Sequence, residues 1–140
     1  MSDRPIIVHD IDDARAAVAV AAELGLASLT LRSAPDAARY LGATVYRDIV
    51  RAAGRAHPSV AVTAVFDCGA DPGLALGALR HGLKVIRVAA AADVRARIAD
   101  IAAQSGARLD DDAAAPALDL LDADDRAAAL RAWLTAGDRT

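Results

Sequence analysis

Residues 60–88 read VAVTAVFDCGADPGLALGALRHGLKVIRV, and this stretch decides the fold class. An apolar run ends at Asp67, and the chain turns through Asp-Cys-Gly-Ala-Asp-Pro-Gly. A short apolar helix follows, breaks at His81-Gly82, and gives way to a second apolar run from Val85. Such a strand, turn, helix and strand make a parallel βαβ unit. Asp71 and Pro72 suit the cap and first position of its helix. Val62, Val65, Leu76 and Leu79 are its expected core.

Working outward, the alternation repeats. Ile6-Ile7-Val8 is a short apolar run of the kind found in strands buried on both faces. Asp12 is placed to cap a helix over Asp13–Leu24, whose apolar positions Ala16, Ala17, Val20, Ala21 and Leu24 share a face; Gly25 closes it. Ser28–Arg32 reads as a second strand. Pro35-Asp36 opens a helical region to about Arg55, split at Gly42, with Val45, Tyr46, Ile49 and Val50 as its second stripe. Beyond Val88, a helix over Asp93–Gln104 presents Val94, Ile98, Ile101 and Ala102 and ends at Gly106. Ala107-Arg108-Leu109 reads as a fifth, weak strand. Asp110-Asp111-Asp112 and the AAAP run after it read as a turn, and a last helix covers about Asp124–Ala136.

About five alternations in 140 residues predict one α/β domain over residues 1–140. The expected architecture is a three-layer sandwich around a parallel sheet of about five strands, flavodoxin-like. The chain is too short for a closed eight-stranded barrel.

Composition narrows the function classes. The chain is 55% hydrophobic, and roughly a quarter of it is Ala, which suits close helix packing. Aromatics are 3% and the net charge is −3, both poor for a nucleic-acid reader, so no nucleic-acid partner is expected. Lys84 is the only lysine; with the Ala excess this fits a bacterial, GC-rich genome rather than a need for Arg at any one site. One cysteine, Cys68, forms no intramolecular disulfide and suits a reducing compartment. The first ten residues lack the pattern of a signal peptide, and no apolar stretch reaches the ~18 residues of a membrane span. A soluble cytoplasmic protein with no membrane partner is expected.

Ligands of open α/β sheets bind beyond the carboxyl ends of the strands. There the sequence puts His9 and Asp10 after the first strand, Arg32 and Ser33 after the second, and Asp67, Cys68 and Asp71 after the third. These seven are the candidate ligand-binding residues. Were the first and third strands neighbours, His9, Asp10, Asp67 and Cys68 would converge. The competing roles are structural: strand ends and caps for the acids, a small buried hydrophobe for Cys68. HExxH, paired CxxC and EF-hand spacings are absent, as is a glycine-rich phosphate loop. No metal, cofactor or catalytic residue is therefore assigned. Arg32-Ser33 is the expected anion site.

Two partial resemblances accompany this reading. Leu29-Thr30-Leu31-Arg32-Ser33 and residues 57–88 are similar to part of the 2-keto-3-deoxy-6-phosphogluconate aldolase barrels, with their Thr-Leu-Arg-Thr strand end and Ala-His-Pro turn. That resemblance puts the family's acidic catalytic residue on Ser28 and offers no counterpart to its Schiff-base lysine, since Lys84 stands at the start of a strand. Ile6–Asp13 with Asp67, Pro72 and Gly73 resembles response-regulator receivers, across about 110 residues. It implies that Asp10 helps hold Mg²⁺ and Asp67 accepts phosphate. The receiver's Ser/Thr, expected after the fourth strand, and its lysine, expected after the fifth, are missing near Ala89–Ala92 and Leu109-Asp110.

The expected function is accordingly that of a non-catalytic module binding a partner protein or a small anion at the carboxyl edge. A degenerate receiver-like domain and an aldolase-like enzyme are the alternatives. The apolar excess also predicts a homodimer through Leu130, Trp133 and Leu134 of the last helix.

Overall fold

A computed structural model describes residues 4–110 and 116–136. Among them run strands β1 (Ile6–Ile7), β2 (Ser28–Arg32), β3 (Ala61–Asp67), β4 (Val85–Arg87), β5 (Arg108–Leu109) and β6 (Leu118–Asp119). The helices are α1 (Ile11–Glu23), α2 (Ala43–Arg55), α3 (Pro72–Arg80), α4 (Ala92–Gln104) and α5 (Arg126–Ala136). The six strands form one parallel sheet in the order β5-β4-β3-β2-β1-β6, an α/β arrangement consistent with the three-layer, flavodoxin-like class expected. β1 to β5 lie side by side in chain order, and β6, a strand the sequence reading missed, lies beside β1. No helix among the described residues is long and apolar enough to cross a membrane.

The chain divides into two compact units, Met1–Arg32, Ile49–Thr63 and Ala115–Thr140 in the first, Ser33–Asp48 and Ala64–Ala114 in the second. In the first, β1 pairs with β2 (Ile6↔Leu31, Ile7↔Arg32) and with β6 (Ile6↔Leu118, Ile7↔Asp119). Helix α1 starts at Ile11, and its cap is Asp10 rather than Asp12: the Asp10 carboxylate accepts the Asp13 N–H at 2.8 Å. Asp10 has the extended backbone a cap needs, whereas Asp12 is already helical. The buried Ala14, Ala17 and Ala21 let α1 approach its neighbours closely, and α1 packs against α5. Gly25, at φ +72, ends α1 in the left-handed conformation that favours glycine.

The apolar face of α5 lies inside its own chain. Leu130 and Leu134 are buried. Arg4 lies 3.7 Å over the Trp133 ring, its Nε donates to the Trp133 carbonyl at 2.6 Å, and Trp133 Nε1 donates to the Arg4 carbonyl at 3.1 Å. The anchor expected to hold a second copy thus ties the amino-terminal segment to α5.

In the second unit, β4 pairs with β3 (Val65↔Val85, Phe66↔Ile86, Asp67↔Arg87) and with β5 (Val85↔Arg108, Ile86↔Leu109). The helical region after Pro35 opens with a 3₁₀ turn, Ala37–Arg39, and α2 begins after Gly42 as the spacing predicts. Tyr46 stacks on Phe66 with ring centroids 5.2 Å apart, while Val45 faces outward. Helix α3 is capped as expected: Asp71 accepts from the Gly73 and Leu74 N–H groups at 2.8 and 3.2 Å. Val65 and Leu79 are buried, and Leu76 is half-buried. In the first unit Val62 is likewise half-buried. On α4, Ile98 and Ala102 are buried, whereas Ile101 is 42% exposed.

Candidate functional site

At the carboxyl end of the second unit's strands the chain builds a fixed, charged wall. The β3–β4 register sets Asp67 opposite Arg87, the last residues of their strands. The main chain continues the ladder past both ends: Cys68 N–H donates to the Arg87 carbonyl and Ala89 N–H to the Gly69 carbonyl, each at 2.8 Å. Arg87 Nε lies 3.6 Å from Asp67 Oδ2, and its Nη1 donates to Asp110 Oδ2 at 3.0 Å. Asp110 follows β5 and donates its own N–H to the Ile86 carbonyl at 2.8 Å. The three side chains keep only 16–17% of their surface exposed. One guanidinium thus links the ends of β3, β4 and the segment after β5 in a little-hydrated setting.

The turn after β3 is equally constrained. Asp67 Oδ1 accepts from Gly69 N–H at 2.8 Å and from Asp36 N–H at 3.0 Å, and Asp67 N–H donates to Ser33 Oγ at 2.9 Å. Gly69 sits at φ +59, and a Cβ there would run into the Asp36 carboxylate. Asp36 is itself in the left-handed region, at φ 62. Against this turn opens a cavity of about 350 Å³, walled by the side chains of Asp67, Arg87, Arg95 and Asp110 and by Gly69, Val88 and Ala89. Arg95 comes from the first turns of α4, and its Nη2 lies 3.5 Å from the Asp110 carbonyl.

The predicted residues divide accordingly. Asp67 lines the cavity, with Ser33, fully buried, behind it holding its main chain. Asp71 caps α3. Cys68 is fully buried with its thiol toward the Phe66 carbonyl at 3.9 Å. Burial, with Asp67 and Asp71 nearby, pushes its pKa up to about 12, so it stays a protonated thiol at neutral pH. Arg32 is only 8% exposed in the first unit, where its carbonyl accepts the Val8 N–H at 2.9 Å. β2 stands between β1 and β3, so His9 and Asp10 are not carried on a strand next to that of Asp67 and Cys68. The condition set for their convergence, neighbouring first and third strands, is not met.

His9 and Asp10 belong to a cluster of the first unit. His9 Nε2 and Asp119 Oδ1 are 2.6 Å apart, and the same carboxylate oxygen accepts Leu121 N–H at 2.9 Å. His9 N–H donates to Asp13 Oδ2 at 2.9 Å; Asp13 is buried, and its Oδ1 meets Arg126 Nε at 2.8 Å. No Ser, Thr or Cys hydrogen-bonds to the ring among the described residues, so a base and its orienting acid are present without a nucleophile. Nor is any group of three or more His, Cys, Asp or Glu among the described residues arranged to hold a metal ion.

Sequence reasoning missed the pairing of Arg87 with Asp110, and missed Arg95 and Asp119. Asp110 is 23 positions from Arg87, and nothing local marks the pair. Helical spacing was the one available sign for Arg95, which lies on α4 near its amino-terminal, sheet-edge end.

The geometry bears on both resemblances. Of the two acids of a receiver site, Asp10 caps α1 after β1 and Asp67 ends β3, strands that are not neighbours, and Asp67 Oδ1 is already held by two main-chain N–H groups. Lys84 precedes β4, at the amino-terminal edge, where its Nζ donates to the Ser105 carbonyl at 2.8 Å. No family model and no curated protein matches the chain.

Proposed function

We propose that the chain is a small binding module that takes a ligand with an anionic group in the cavity beside Asp67, Arg87, Arg95 and Asp110. One observation carries the reading: two guanidinium groups stand in the wall of a cavity at the carboxyl edge, where α/β folds bind ligands. Arg87 is held in place by Asp67 and Asp110, so little side-chain freedom is lost on binding. Arg95, on the helical side of the cavity, is the group that meets the anion. Its planar fork matches a carboxylate or a phosphate. The buried Cys68 thiol, protonated at neutral pH, favours binding over nucleophilic chemistry.

Calorimetric titration of the whole chain with propionate and with inorganic phosphate tests the reading. Saturable binding is expected, weakened about tenfold or more in Arg95→Ala, the usual effect of losing a charge-assisted hydrogen bond. No heat from either anion, or binding untouched by Arg95→Ala, refutes it. A homodimer also belongs to this reading, through exposed apolar residues other than the α5 anchor, such as Tyr40 at 72% and Val45 at 50% exposure. Sedimentation at micromolar concentration checks it, and a monomer rules it out.

A further inference from the structure

We propose a second site, within the first unit: the ring of His9 takes the acyl group of an activated ester at Nδ1 and passes it to water. His9 and Asp119 stand at the carboxyl ends of the paired strands β1 and β6, the edge where α/β sheets place their ligands. Asp119 is the register partner of Ile7, and His9 comes two positions after Ile7. The residues that hold the ring all belong to the same unit.

The ring is fixed through one nitrogen, which leaves the other for chemistry. Asp119 Oδ1 already accepts the Leu121 N–H at 2.9 Å, so in its 2.6 Å contact with His9 the ring nitrogen Nε2 is the donor. The proton of the neutral ring therefore sits on Nε2 and the lone pair on Nδ1. The main chain is held as firmly. His9 N–H donates to Asp13 Oδ2 at 2.9 Å, and the buried Asp13 is itself fixed by Arg126 Nε at 2.8 Å. A group whose ring, main chain and orienting acid are each anchored gives up little freedom when it reacts.

No hydroxyl or thiol is needed beside the ring, because imidazole is itself a nucleophile. Nδ1 attacks the ester carbonyl carbon. An N–C bond forms and the ester C–O bond breaks, its electron pair leaving with the alcohol oxygen. The acylated ring is a cation 2.6 Å from the Asp119 carboxylate, so charge that appears only as the reaction proceeds meets a partner already in place. Water then adds to the acyl carbon, the N–C bond breaks with its pair returning to Nδ1, and carboxylate and a proton are released. A phosphoryl dianion would meet Asp119 as a like charge, whereas an acyl group is neutral. Leu121, whose N–H binds the same carboxylate, is an exposed apolar residue and suits a short apolar acyl chain.

The test uses the full chain and p-nitrophenyl acetate, with release of p-nitrophenolate as the readout. Steady turnover above the buffer rate is expected. His9→Gln should fall to the buffer rate, while the double variant His57→Gln, His81→Gln, which lacks the other two histidines of the chain, should keep the wild-type rate. Asp119→Asn retains an acceptor for the Leu121 N–H but not the charge, and should slow turnover about tenfold or more. Asp119→Glu should recover part of that loss, which a purely structural role would not produce. Nitrogen NMR of the wild-type ring should show the proton on Nε2, a result that decides even if His9→Gln fails to fold. Turnover equal in wild type and a folded His9→Gln, turnover lost in the double variant, or a ring protonated on Nδ1 alone overturns the inference. Each of these outcomes leaves the anion reading of the cavity untouched.

Discussion

Replacing Arg87 by Met would remove the cation that holds three strand ends together. At the effective dielectric typical of protein sites, a unit charge 3.0 Å from Asp110 and 3.6 Å from Asp67 gains about 5 kcal/mol from each, before desolvation is subtracted. Burial of all three groups offsets much of that gain, so the net worth of the intact trio is small. Removing only the cation is different. It takes the shared cation from two carboxylates that are only 16–17% exposed. The expected loss is about 3–5 kcal/mol of folding stability. Urea denaturation followed by circular dichroism measures it. Neutralising the acids in the triple variant Arg87→Met, Asp67→Asn, Asp110→Asn should recover a large part of the loss. An Arg87→Met midpoint within error of wild type would refute the reasoning, because Arg87 would then be a solvated surface charge.

Leu79→Ala, in the core of the second unit, should destabilise by about 2–5 kcal/mol in the same denaturation assay, and an unchanged midpoint would deny the packing of α3 described above. Cys68, with its pKa near 12, should react with a thiol reagent at pH 8 only when the chain unfolds; rapid labelling of the native protein would contradict its burial. A raised pKa stabilises the fold below the ordinary cysteine range, so this contribution fades as pH climbs from about 9 toward about 12. Glu23 is the opposite case: the hydrogen bonds and charge of Arg131, at 2.7 and 3.1 Å, lower its pKa. Its small contribution should be present at neutral pH and disappear as pH falls through that lowered value, and Glu23→Gln should flatten this part of the pH profile.

How far the sequence could be read depends on how local each feature is. The βαβ unit was legible because its marks are local: an apolar run, the Asp71-Pro72 cap, and Gly82 before the next run. β6 was not, because Leu118-Asp119 is a two-residue strand that owes its existence to pairing with Ile6 and Ile7, more than 100 positions away. The same distance hides the strand order, in which β2 stands between β1 and β3. Asp10 and Asp12 are equally good capping residues by type, and backbone conformation decides between them. Leu130, Trp133 and Leu134 looked like a docking face because their partners, α1 and Arg4, lie far off in sequence. Asp67 was found from its position at a strand end, but its roles in holding the Gly69 turn and facing Arg87 required the fold.

The central claim, that the cavity at the carboxyl edge of the second unit is a ligand site, is tested most directly by following backbone amide resonances during titration with propionate and with inorganic phosphate. The account predicts saturable shifts concentrated at Gly69, Val88, Ala89 and Arg95, which line the cavity. Shifts confined to His9, Asp119 and Leu121, or no saturable shift with either compound, would contradict it.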